Sequence, residues 1–207
     1  MTITTIAHLL TQELKHTNIE LKGWVRTFRA NRFIALNDGS CLQNIQCVVD
    51  FESMDEKLLK RITTGAAVHI KGSLVESLGK GQSVEVQVSS LDVLGDANPE
   101  EVSKTILQPK RHSLELLREQ SHLRVRTNTF SAVMRLRSSL SFAIHSYFNK
   151  NGFYYMHAPI VTGSDAEGAG EMFRVTTLDP KNPPLNEEGI VDYSKDFFGK
   201  ETNLTVS

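Results

Sequence analysis

A glycine-rich acidic loop, "GSDAEGAGEMF" at residues 163–173, holds the densest group of chemically capable side chains in the sequence. It places Asp165, Glu167 and Glu171 among three glycines. A P-loop, which binds phosphate through main-chain N–H groups, carries a lysine at a fixed spacing from its glycines, and this loop contains no lysine. Three carboxylates would also repel a phosphate group. The loop is therefore predicted to hold a cation, either a metal ion or an ammonium group.

A second set of candidate residues lies near the N-terminus and suits a polyanion. Arg26, Arg29 and Arg32 flank a predicted turn, where they can follow a phosphate backbone. Phe33 begins the next strand and can stack on an unpaired base, and the amide of Gln46 can both donate to and accept from a base edge. Taken singly, a core aromatic and an ordinary exposed strand amide are the better interpretations. Together on one surface, these residues favour binding of nucleic acid.

The elements that position these residues are predicted from alternating apolar and polar positions. The pattern predicts five strands and one helix, which lies between the third and fourth strands. This is the order of the five-stranded OB barrel, whose second and third strands and loops bind oligonucleotides. Lys80 and Gln82 lie in a glycine-rich hairpin, where a loop of such a barrel contacts nucleic acid. The predicted strands are 19–28, 32–38, 44–51, 66–77 and 83–95, and the predicted helix is 54–62.

The charge of the 207-residue chain is nearly balanced overall but uneven along its length. Residues 103–150 carry nine Lys and Arg against two Glu, a net charge of +7, whereas residues 151–207 carry four basic and nine acidic residues, a net charge of −5. A basic segment between a neutral and an acidic one fits a polyanion partner. A solvated basic helix face explains the same charge equally well.

The cysteine content and the apolar runs limit the class of protein. Cys41 and Cys47 form no C-x-x-C motif, which favours reduced thiols in the cytoplasm and argues against a structural metal site. The N-terminus lacks the basic start and cleavage site of a signal peptide, and no apolar run is long enough to span a membrane. These features predict a cytoplasmic protein with no membrane partner.

A hinge and a long helix follow the predicted barrel. Residues 96–127 mix proline, charge and short helical runs, which is typical of a connector between domains. Residues 128–150 place apolar side chains on one side of a helix, and Gly152 is predicted to end it. A core helix accounts for this stripe. Its members are Phe130, Val133, Met134, Leu140, Ile144, Tyr147 and Phe148.

The helix and the residues after it resemble motif 1 of the class II aminoacyl-tRNA synthetases, in which a long helix leads to a strand that ends in proline, here Pro159. Motif 1 is a loose pattern, but further segments are similar to the aspartyl, asparaginyl and lysyl subgroup, and to its asparaginyl branch in particular. The similarity runs from about residue 19 to the end of the chain. The segments that carry it include "GWVRT", "FIALNDGS", "GSDAEGAGEMFRVTTLD" and "DYSKDFFGKETNLTVS".

The resemblance implies a division of the chain into an anticodon-binding OB domain at residues 1–95, a hinge at 96–127 and the start of an antiparallel-sheet catalytic domain at 128–207. It implies that Glu167 senses the ammonium group of the amino acid from a mobile lid and that Ser207 lines the amino-acid pocket. It places Pro159 at the interface of a homodimer. The implied anticodon-binding residues are Arg26, Arg29, Phe33, Gln46, Lys80 and Gln82.

The activity implied by the resemblance is the activation of asparagine with ATP and Mg²⁺ and its transfer to tRNA(Asn). Motifs 2 and 3, which carry the ATP-binding arginines in this family, are absent. The chain therefore looks like the N-terminal part of an enzyme, with no catalytic residue or metal site of its own and no activity alone. Two alternatives stay open: an aspartate–tRNA ligase, because the residues that separate amide from carboxylate would follow Ser207, and a free-standing OB nucleic-acid-binding module.

Overall fold

The computed structural model describes residues 4–11, 17–52, 54–79, 81–164 and 172–205. Its first part is a closed five-stranded barrel with the strand order β1-β2-β3-β5-β4. All neighbouring strands are antiparallel except β3 and β5, which are parallel. This confirms the predicted OB barrel. The strands are β1 (Thr17–Arg29), β2 (Phe33–Asn37), β3 (Ile45–Val48), β4 (Ala67–Glu76) and β5 (Val84–Gly95).

Alternating side chains of the strands fill the barrel interior, as the sequence pattern predicts. Two short helices, α1 (Ile6–Thr11) and α2 (Glu56–Arg61), add apolar side chains to this core. Asp55 caps α2 by accepting a hydrogen bond from the Lys57 amide at 2.8 Å, and Ile62 after the helix is buried. The fully buried side chains of the barrel include Leu21, Val25, Ile34, Leu36, Ile45, Ile70 and Leu74.

A close approach of two strands requires glycine at position 72 of β4. A Cβ atom there would lie 2.1 Å from the main-chain oxygen of Gln87 on β5, next to a register shift of the β4–β5 ladder. Since no side chain can occupy that space, Gly72 allows the sheet to bend and close.

The connector consists of short helices that lead into one long helix. They are α3 (Pro99–Ser103), α4 (Leu114–Glu119), a 3₁₀ turn at Arg124–Arg126 and α5 (Asn128–Lys150). The long helix has the predicted bounds, and Gly152 after it adopts a φ of +85°, as expected of a terminating glycine. The interpretation of α5 as a core helix is wrong, because none of its residues is buried. Val133, Leu140 and Ile144 of the apolar stripe are each about half exposed.

The chain divides into two compact units, Met1–Ala143 and Ile144–Ser207. In the second unit β6 (Val161–Thr162) pairs with β7 (Asn203–Leu204). Next to that pair the Val175 amide donates to the main-chain oxygen of Thr202, and Thr202 Oγ1 donates to the main-chain oxygen of Val175. The strand predicted before Pro159 is not formed, and residues 153–159 are exposed. A strand needs a neighbour for its hydrogen bonds, and β7 pairs with β6 and bridges to Arg174, not with residues 153–159. No helix in the described ranges is long and apolar enough to cross a membrane.

Candidate nucleic-acid interface

The outer face of β2 and β3 carries two of the predicted recognition residues. Because Ile34 and Leu36 point into the core, Phe33 lies on the outside of the barrel, with 36% of its surface exposed. Arg29 pairs in register with Phe33 across the β1–β2 hairpin. The guanidinium carbon of Arg32 lies 5.8 Å from the centre of the Phe33 ring. An aromatic face flanked by arginines is thus open to solvent, which suits stacking on an unpaired base.

Glu85 on β5 holds the neighbouring polar side chains in place. It is 9% exposed and lies in register with Gln46 across the parallel β3–β5 pair. One carboxylate oxygen accepts from Gln46 Nε2 at 3.1 Å, from Ser77 Oγ at 2.9 Å and from Gln82 Nε2 at 3.4 Å. The other accepts from Gln87 Nε2 at 3.1 Å. Since Gln46 donates one Nε2 hydrogen to Glu85, its amide oxygen and its second Nε2 hydrogen are left to meet a ligand.

A groove of roughly 580 Å³ joins these residues on the barrel surface. Its lining includes Arg29 from the end of β1, Ala35 from β2, Gln46 from β3 and Gln82 from the β4–β5 hairpin. The groove combines a cation for phosphate with an oriented amide for a base edge. Those are the two kinds of contact that single-stranded RNA recognition requires.

Arg26 is not part of this groove. Its guanidinium donates a hydrogen bond of 2.6 Å to the main-chain oxygen of Arg126 and a weak one of 3.5 Å to Asn128 Oδ1, so it faces the connector. Burial lowers the pKa of Arg26 from its usual value. The structure therefore brings Arg29, Gln46 and Gln82 together, places Phe33 next to them, and separates Arg26 from them.

The other predicted site residues lie away from the barrel face or outside the described ranges. Pro159 is exposed in the extended segment after α5. Lys80, Glu167 and Ser207 lie outside the described residues, as does most of the acidic loop. Their predicted roles therefore stay predictions.

Sequence reasoning missed Glu85, although the strand that carries it was predicted. Glu85 sits between the buried Val84 and Val86, so its alternation indicates an outward position. What the local pattern does not reveal is the parallel pairing of β3 with β5, which places Glu85 beside Gln46.

Comparison with protein families finds two matches in series. Residues 19–94 match the OB-fold nucleic acid binding domain, and residues 113–185 match the tRNA synthetases of class II (D, K and N). The first match covers the barrel and its groove, and the second covers α4, α5 and the segment after them.

Relatives similar along almost the whole chain are asparagine–tRNA ligases. The ligase of Cytophaga hutchinsonii is 59% identical over 91% of this chain and 41% of its own length, and that of Porphyromonas gingivalis is 54% identical over 99% and 44%. The chain thus spans less than half the length of these relatives.

Solved structures agree on the fold. The asparaginyl-tRNA synthetase of Pyrococcus horikoshii, complexed with asparaginyl-adenylate, superposes with a TM-score of 0.75 at 21% identity over the whole chain and 43% of its own length. The enzyme of Entamoeba histolytica superposes with a TM-score of 0.71 at 21% identity, over 94% of this chain and 41% of its own. On the two family matches and the asparagine–tRNA ligase relatives, the chain belongs to the class II synthetases of the aspartyl, asparaginyl and lysyl subgroup and corresponds to the N-terminal portion of the asparaginyl members.

Proposed function

We propose that this chain is the anticodon-binding part of an asparagine–tRNA ligase, an enzyme that activates asparagine with ATP and Mg²⁺ and transfers it to tRNA(Asn). The observation that carries the proposal is the 54–59% identity to asparagine–tRNA ligases across the barrel, the connector and α5. That similarity favours asparagine over aspartate as the amino acid. The exposed groove with its oriented amide supports RNA as the ligand of the barrel.

Within this proposal the barrel reads the anticodon through three kinds of contact. Phe33 stacks on a base, Arg29 contacts the phosphate backbone, and Gln46 reads a base edge. With Nε2 bound to Glu85, the oxygen of Gln46 accepts from a ring N–H. Uracil and guanine carry such a donor on the Watson–Crick edge, whereas cytosine and adenine present an acceptor there. The middle base of the asparagine anticodon is uracil, which fits this amide orientation.

The remaining parts of the proposal concern the second unit and the cell. We propose that residues 128–207 begin the catalytic domain after a hinge at 96–127, that the segment around Pro159 contributes to a homodimer, and that Glu167 and Ser207 contact asparagine. Among the described residues no group of three His, Cys, Asp or Glu side chains could hold a metal ion, and we assign no step at ATP or Mg²⁺ to this chain. Reduced Cys41 and Cys47 fit a cytoplasmic location.

The test is filter binding of anticodon stem-loop RNAs that differ only in the middle base. Gln46→Ala is expected to weaken binding by about 1–3 kcal/mol for the uracil RNA, and little for the cytosine and adenine RNAs, which present an acceptor at the same place. Phe33→Ala is expected to weaken all four RNAs by about 1–3 kcal/mol. Gln87→Ala is the matched control, since Gln87 binds the same Glu85 carboxylate but does not line the groove. Equal losses for Gln46→Ala across all four RNAs would remove base reading from β3.

A further inference from the structure

A cleft of roughly 270 Å³ lies between the barrel and the connector, next to the groove on the barrel face, with which it shares Leu42 and Asn128. Its walls include Trp24, Arg26 and Asn37 from the barrel and Arg126, Asn128 and Ser131 from the connector and α5. Two lining residues are cations and none is a carboxylate. All of these residues lie within the unit Met1–Ala143.

The two arginines of this cleft are held close together and are partly withdrawn from water. Arg26 is fixed by its hydrogen bond to the main-chain oxygen of Arg126. The guanidinium carbon of Arg126 lies 4.9 Å from the centre of the Trp24 ring, a cation–π contact that restrains it. Burial lowers the pKa of Arg126, and the charge of Arg26 lowers it further. The charged form of Arg126 is therefore disfavoured by burial and by the charge of Arg26, and that of Arg26 by burial.

Neither arginine has a compensating anion in the described part of the chain. No ion pair joins Arg26 or Arg126 to a carboxylate there, and the Arg126 side chain donates no hydrogen bond to any described residue. The contact of Arg126 with the Trp24 ring is enough to hold the connector there, and it does not require a second cation. A second guanidinium without a counter-charge is unfavourable unless a ligand supplies that charge.

We propose that this arginine cleft binds a phosphodiester of the RNA whose anticodon occupies the barrel groove. The inference rests on the proposed function, since it assigns a second contact to the same ligand. The Arg126 side chain lies against Trp24 and donates to no described residue, and its fork of N–H donors suits two oxygens of one phosphate. The basic segment at residues 103–150 has a net charge of +7, which favours a polyanion over a single small anion.

Trp24 makes the cleft directly observable, because it is the only tryptophan of the chain. RNA binding is expected to change its fluorescence in the wild type, because the bound phosphate attracts the Arg126 guanidinium that contacts the indole. Arg126→Gln should abolish that change and weaken binding of the anticodon stem-loop on the order of tenfold, equally for all four middle bases. The slope of log affinity against log salt should fall by about one. Arg126→Lys keeps the positive charge but lacks the guanidinium's paired N–H donors, so it should retain part of the affinity. This variant also provides the test if Arg126→Gln unfolds.

Arg118→Gln is the matched control, since it removes one positive charge from the same connector at an exposed residue paired with Glu115. If Arg126→Gln binds no worse than Arg118→Gln while Gln46→Ala still loses base preference, the cleft proposal is wrong and the anticodon proposal stands. If inorganic phosphate saturates the Trp24 signal without displacing the RNA, the cleft binds a small anion and the proposal is wrong as well. Absence of RNA binding to the wild type would instead contradict the proposed function.

Discussion

The barrel and the second compact unit, Ile144–Ser207, differ in the kind of side chain that stabilises each of them. The barrel buries a continuous cluster of isoleucine, leucine and valine. In the described part of the second unit the buried side chains are Asp196 and Thr202, both polar, while Tyr154 and Met156 are more than 80% exposed. The barrel is thus stabilised by removal of apolar surface from water, and the second unit by hydrogen bonds.

Asp196 is the centre of the polar contacts in the second unit. Its carboxylate accepts from Thr176 Oγ1 at 2.6 Å, from the Thr177 amide at 2.9 Å and from Thr177 Oγ1 at 2.7 Å. These bonds hold the pKa of Asp196 well below its usual range. An apolar core does not titrate, whereas a carboxylate does. The two units should therefore differ in their response to core truncation and in their response to acid.

The largest expected effect is a difference in the free energy of unfolding between two isoleucine-to-alanine substitutions, one in each unit. Ile70→Ala in β4 removes a side chain that is 1% exposed and should lower the free energy of unfolding by about 2–5 kcal/mol. Ile144→Ala removes one that is 56% exposed and should change it by no more than about 0.5 kcal/mol. Urea unfolding followed by Trp24 fluorescence measures the barrel, and circular dichroism measures the whole chain. A large loss for Ile144→Ala would show that another surface covers α5 in solution.

The next effect separates the two units by acid. Because the folded pKa of Asp196 lies below the value near 3.9 expected in the unfolded chain, its contribution to stability is complete above about pH 4. It is lost as the pH falls through the lowered folded pKa. The Thr177 amide resonance should therefore stay folded-like at pH 4 and shift only in stronger acid, while the amide of Ile70 in the apolar barrel core stays folded-like throughout.

Asp196→Asn should remove the protection of the Thr177 amide from hydrogen exchange at neutral pH and leave the barrel unaffected. Asp192→Asn is the control, since Asp192 accepts from Ser194 within its own turn and is not part of the Asp196 cluster. If Asp196→Asn and Asp192→Asn have the same effect, the second unit does not depend on one carboxylate.

The same contrast explains which features could be predicted from the sequence. The five strands, α2 and α5 follow from local alternation and helical spacing, and their predicted bounds differ from the observed ones by at most three residues. The groove depends on pairing between distant strands, so Gln46 could be proposed from its strand but Glu85 could not be linked to it. Arg26 looked like a phosphate ligand of the groove because its neighbours in sequence are arginines. Its contact with Arg126 spans 100 residues and has no local signature.

The smallest expected effect concerns strain that the barrel tolerates beside its groove. Ala30 and Asn31 in the β1–β2 turn have φ values of +52° and +49°, and in the described chain they are the non-glycine residues with positive φ. Asparagine adopts this conformation readily, but alanine does not.

Ala30→Gly should relieve the strain, offset in part by the greater entropy of glycine in the unfolded chain, and raise the free energy of unfolding by about 0.5–1 kcal/mol. Asn31→Gly, the matched control, should gain less. Urea unfolding by Trp24 fluorescence measures both, and destabilisation by Ala30→Gly would mean that the hairpin does not use a left-handed turn. Since Arg29 and Phe33 flank this turn, unchanged RNA affinity in Ala30→Gly would show that the closed barrel, and not the strained turn, fixes their positions.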